Sequence, residues 1–195
     1  MKSGKIIHLA FLALLLQIFA AAQAAATTID PQIIIDKLNN LTAKINFEFS
    51  RELKDQGVTE NFREEYNYRF TLGSDKKLSI DFEERVRLTA NGEFIRRSEL
   101  KGNIAIVPQK LRSDPVSIDK NGVINIICQD ELQDKCITRS AHIRVYDNQD
   151  TVIMKREFES LPAGRFVIKG SVDDLRNLII ANLKELFNAL GNKET

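Results

Sequence analysis

An apolar residue returns at every second position over three separate stretches between Ile45 and Leu88, and this rhythm constrains the fold more than anything else in the chain. Ile45, Phe47 and Phe49 alternate with Asn46, Glu48 and Ser50. Tyr66, Tyr68, Phe70 and Leu72 continue the pattern. Leu78, Ile80, Phe82, Val86 and Leu88 repeat it against Ser79, Asp81, Glu83, Arg85, Arg87 and Thr89. Successive side chains of a strand point to opposite faces, so such alternation predicts an antiparallel sheet with one face covered and the other wet. Glu84 breaks the apolar side between Phe82 and Val86, and a bulge or kink there is expected to turn it out of the core.

Turn signals divide the strands. Asn91-Gly92 precedes Glu93–Arg97, and Asn121-Gly122 separates Val116–Ile118 from Val123–Cys128; both dipeptides favour type I′ hairpins. Consecutive strands are therefore expected to be hairpin neighbours. Ile137–Val145 and Thr151–Phe158 read as further strands, and after a turn at Leu161-Pro162-Ala163-Gly164 so does Phe166-Val167-Ile168.

A helix stands at each end. Asp30 reads as an N-cap and Pro31 as the first helical residue, with Ile29 placed to pack on Ile34. Ile34, Leu38, Leu41 and Ile45 then recur at helical spacing. The last helix has Ser171 as its predicted N-cap, Asp173 and Asp174 in the first turn, and Gly191 at its end. Leu175, Ile179, Leu183, Leu186 and Leu190 form its stripe, which is expected to cap the sheet.

Lys2 and Lys5 precede an apolar run from Ile6 to Ala22, and Ala24 or Ala26 offers a small-residue cleavage point. That is the layout of an export leader over residues 1–26, followed by one domain over 27–195 that ends in a short polar tail. The run is shorter than the roughly 20 apolar residues a spanning helix needs, and no later stretch is a membrane-span candidate. The expected location is the periplasm or the extracellular medium. In such an oxidising compartment Cys128 and Cys136, the only cysteines, are expected to pair and to close a hairpin at its mouth.

Losing the leader removes two lysines and no acid, so a formal charge of +1 becomes −1. Nucleic-acid recognition needs a concentrated cationic excess, which this balance excludes as an expectation. His8 leaves with the leader and His142 remains, on the polar side of its strand, too little imidazole for a triad or a zinc hydrolase. Paired carboxylates are the surviving catalytic option, with Asp81, Glu83 and Glu84, or Glu64 and Glu65, as candidates. Charge ladders with Arg85 and Arg87 explain them more simply. The acidic loops 130–134 and 147–150 offer oxygen ligands for calcium but read better as ordinary turns. No cofactor is expected. Arg85, Arg87, Arg96, Arg97 and Lys101 could meet an anionic lipid or polysaccharide, although Glu83, Glu93 and Glu99 lie among them.

A strand ending in Cys128, a short polar loop, Cys136-Ile137, further strands and a closing helix resemble exported bacterial proteins with a pleckstrin-homology-like barrel. The helix Ile33-Ile34-Ile35-Asp36-Lys37-Leu38-Asn39-Asn40 matches their leading helix, and the resemblance implies a barrel but no function. Asp36–Ile45 is also similar to the opening helix of periplasmic lipoprotein carriers, a family without a long helix like 172–190. The resulting expectation is an α+β domain, a curved antiparallel sheet or small barrel with an N-terminal helix and a C-terminal capping helix. Its expected role is non-catalytic binding of an envelope component or other protein. The alternative is a carrier that holds a lipid against Phe47, Phe49, Tyr66, Tyr68, Phe70 and Phe82.

Overall fold

A computed structural model describes residues 30–120, 122–130, 136–163, 165–169 and 173–191. The leader, Ile29, Asn121, Gly164, Ser171 and most of the 130–134 loop lie outside them. Helix α1, Pro31–Thr42, starts where the sequence indicates: the Asp30 carboxylate accepts from the Gln32 N–H at 2.9 Å and Pro31 opens the first turn. Nine strands follow among the described residues: β1 Ile45–Leu53, β2 Val58–Leu72, β3 Leu78–Ala90, β4 Glu93–Ile106, β5 Leu111–Ile118, β6 Val123–Cys128, β7 Ile137–Tyr146, β8 Val152–Ala163 and β9 Arg165–Lys169. Helix α2, Asp173–Gly191, ends the described chain. No described helix is long and apolar enough to cross a membrane.

The strands form two antiparallel sheets. The larger is ordered β1-β2-β3-β4-β7-β8 and the smaller β5-β6-β9. This bears out the α+β class and both terminal helices, but the expected barrel does not close: β1 and β8 remain opposite edges of the large sheet. Asn91 and Gly92 have φ of 49° and 86°, the left-handed pair that a type I′ turn requires, and they join β3 to β4. Hairpin neighbourhood also holds for β1–β2, β2–β3, β5–β6 and β7–β8, and fails at β4–β5, β6–β7 and β8–β9. β4 pairs with β7 across the intervening small sheet, and β8 and β9 belong to different sheets.

Three local expectations are corrected by the same topology. Leu161–Ala163 does not turn; it continues β8 opposite Arg139–Ile137, and Pro162 is tolerated because β8 is an edge whose outer side needs no ladder N–H. Glu84 sits in regular register between Tyr66 and Leu100, while the irregularity in β3–β4 falls at Leu88/Thr89. The Cys128–Cys136 bond forms, with Cα atoms 5.6 Å apart, but it closes no hairpin. Cys128 ends β6 in the small sheet and Cys136 precedes β7 in the large one, so the bond clasps the sheets together.

One cluster of buried side chains draws on both sheets and both helices. Ile34, Leu38, Phe70, Ile80, Ile104, Ile124, Ile126, Leu183 and Leu186 belong to it. β6 is buried on both faces, Asn125 included, as the central strand of its sheet. α1 lies against α2 and β2, and α2 reaches β5. Each fully buried Leu or Ile contributes about 1.5–3 kcal/mol, so the two helical stripes supply a large part of the driving force.

Candidate functional site

The six aromatic residues on the alternating face share one side of the large sheet, because Ile45, Phe47 and Phe49 oppose Tyr66, Glu64 and Phe62, and Tyr68 and Phe70 oppose Phe82 and Ile80. The face divides into two halves. Near the helices Tyr66, Tyr68, Phe70 and Phe82 are buried in the core. Toward the hairpin turns the cover ends: Phe47 is half-buried, edge-on to Tyr66 at 5.8 Å, and Phe49 is 49% exposed, stacked on Phe62 at 4.8 Å. The expectation of six inward rings therefore fails at Phe49, since alternation assigns a face but not how far along it the cover extends. Phe62, which completes the stack, was missed; its register opposite Phe49 was its only signal.

Other exposed apolar side chains lie elsewhere on the large sheet, at the edge opposite β1 and beside a turn. Val152 and Met154 begin β8, and Ile153 between them is displaced by a register shift against Val145/Tyr146. Ile153 is 61% exposed. Ile95 is likewise exposed beside the β3–β4 turn.

Glu64 and Glu84 converge on one phenol. The Tyr66 hydroxyl donates to Glu64 Oε2 at 2.5 Å and lies 3.3 Å from Glu84 Oε1. Burial, the Glu64 hydrogen bond and the nearby Glu84 charge push the Tyr66 pKa up, so the phenol stays protonated as a donor. This pairing explains how Glu84 resides on an apolar face without a bulge. The other candidate acids lie on the outer face. Glu83 meets Lys101 Nζ at 2.8 Å and Arg85 Nη2 at 2.7 Å, which hold its carboxyl below the usual range. Asp81 accepts from Asn103 Nδ2 at 2.7 Å, and Glu65 is 3.6 Å from Arg63. The sheet brings none of the sequence-proposed pairs onto one inward site; it joins Glu64 to Glu84 instead.

His142 stands on the outer face between Lys101 and Glu157, within a row that runs Glu83, Lys101, His142, Glu157 across four strands. Among the described residues no group of three or more His, Cys, Asp or Glu converges as a metal centre. Asp147 Oδ1 accepts from the Gln149 and Thr151 N–H groups, both at 2.9 Å, so its loop spends that oxygen on its own turn. The chain matches no family model, no curated protein and no solved structure.

Proposed function

We propose that the chain is a non-catalytic binding domain that works outside the cytosol, periplasmic or secreted, and that receives an envelope partner on the open half of its inner sheet face. The observation that supports this reading is the Phe49–Phe62 stack, an aromatic pair left half in water although it continues the face that forms the core. Aromatic side chains are enriched where proteins meet their partners. The disulfide and the leader-like N-terminus support the location. The carrier reading has less support, because four of its six rings are filled in by the domain's own core.

The test places a photo-crosslinking phenylalanine analogue at position 49 or, as a control, at position 69, and irradiates intact cells. A discrete adduct from 49, absent from 69 and lost on Phe62→Ser, is expected. No adduct from 49 overturns the reading, and a lipid retained in native mass spectrometry moves it to the carrier.

A further inference from the structure

The outer face of the large sheet is mostly a lattice of alternating charge. Reading across strands, Glu65, Arg85, Glu99 and Arg144 form one row, and Glu83, Lys101 and His142 another. Between Glu48 and Tyr146 the pattern breaks: Arg63, Arg87 and Arg97 lie directly opposite one another on three successive strands. Like charges in direct cross-strand register are destabilising, so this row costs stability that the neighbouring rows do not.

The acids nearby answer only its ends. Arg63 lies 3.6 Å from Glu48 and from Glu65, while Arg97 meets Glu99 at 3.5 Å and Asp150 at 3.0 Å. Arg87, between them, has no carboxylate partner among the described residues. It is exposed and held over the Phe94 ring at 5.0 Å, an arrangement that positions the guanidinium without neutralising it.

Arg87 also lines an open groove of about 540 Å³. It is lined by two rows on three strands, Glu48, Arg63 and Arg87, then Ser50, Asn61 and Thr89, with Phe49 and Phe62 between them. Ser50 donates to Asn61 Oδ1 at 2.6 Å, which turns the Asn61 amide nitrogen toward other acceptors. A planar fork beside hydroxyl and amide groups suits a carboxylate carried on a hydroxyl-rich ring. We infer that this groove binds an acidic polysaccharide, with Arg87 gripping a sugar carboxylate and Asn61 and Thr89 meeting the adjacent hydroxyls. Arg87, Asn61 and Thr89 are on the sheet face opposite Phe49, and because Phe49 and Phe62 also line the groove, loss of glycan binding in Arg87→Gln with the position-49 crosslink retained distinguishes the two readings.

The exported protein is titrated calorimetrically with polygalacturonate, with neutral dextran and with phosphatidylglycerol vesicles. Binding to polygalacturonate alone is expected, weakening as salt rises. Arg87→Gln should lose about tenfold or more in affinity, and Thr89→Val, which leaves the charge untouched, a smaller factor. Arg112→Gln, outside the groove, should bind as the wild type does. Relief of the arginine row should leave the melting temperature of Arg87→Gln equal to or above that of the wild type, which separates lost binding from lost folding. Undiminished affinity in Arg87→Gln, equal binding of dextran, or binding of the vesicles in place of the glycan overturns the inference.

Discussion

The side-chain amide of Asn39 pairs with the backbone of Phe70 in both directions: the Phe70 N–H donates to Oδ1 at 2.6 Å and Nδ2 donates to the Phe70 carbonyl at 3.0 Å. β1 begins at Ile45, opposite Tyr66, so the stretch of β2 beyond Tyr66 has no strand on that side. α1 takes the strand's place. One turn on from Asn39, the Thr42 hydroxyl lies 2.9 Å from the Tyr68 carbonyl and 2.8 Å from that of Leu38. A bare sheet edge invites pairing with another chain, and two polar side chains of a helix close this one.

Asn39→Leu should therefore destabilise the domain by about 1–3 kcal/mol, because it strands a donor and an acceptor at a part-buried edge. Asn39→Asp, which keeps the acceptor and loses the donor, should also destabilise. Urea unfolding followed by circular dichroism measures both, and wild-type stability in Asn39→Leu would contradict the edge-closing role.

Gly102 faces Phe82 on one side and Ala141 on the other, and a Cβ there would lie 2.2 Å from the Ser140 carbonyl oxygen and 2.7 Å from the Phe82 ring. The ring could shift, but the backbone carbonyl cannot without opening β4–β7. Gly102→Ala should cost about 1–3 kcal/mol, and Phe82→Leu should not restore it.

The protein should show no free thiol before reduction and two afterwards by Ellman titration. Replacing Cys128 and Cys136 by Ser should lower stability by about 2.5 kcal/mol on loop-closure grounds. Because the bond joins two sheets, hydrogen exchange should accelerate in β6 more than in β2.

Leu183 is fully buried and Leu178, on the same helix, is half exposed. Leu183→Asp should unfold the domain, since it buries a charge without a partner. Leu178→Asp should change stability by less than about 0.5 kcal/mol. Equal melting temperatures for the two would remove α2 from the core.

Lys101 and Arg85 lower the Glu83 pKa in the folded state. A depressed carboxylate pKa adds stability above its unfolded value and loses it as pH falls through the folded value. The wild type should thus melt above Glu83→Gln at pH 7, and the gap should close below about pH 4. A gap unchanged by acid would place the effect elsewhere.

The elements were largely legible, because periodicity is local: Asp30-Pro31 starts α1, the alternation from Ile45 to Leu88 lies within β1–β3, and Asn91-Gly92 makes its turn. What was not legible is pairing at a distance. Val123–Cys128 and Ile137–Val145 are neighbours along the chain and look like a hairpin, yet β6 finds β5 and β9 while β7 finds β4 and β8. The same limit explains the site. Arg87 was visible as a basic residue among acids, but only the register shows that arginines flank it on both sides while Glu83, Glu93 and Glu99 fall in other rows. Glu84 was visible as an anomaly, and its resolution, a shared tyrosine hydroxyl, depends on a partner eighteen positions earlier.

The small sheet draws its strands from separate parts of the chain, and β6 obtains its second neighbour only when Arg165–Lys169 is available. A chain delivered from its N-terminus can zip up β1 to β4 by successive hairpins, but Ile124 and Ile126 must wait for the end of the molecule. Until that segment arrives, the edge of β6 that it will occupy stays open to pairing with another chain, and anything that guards the half-made protein has to cover it.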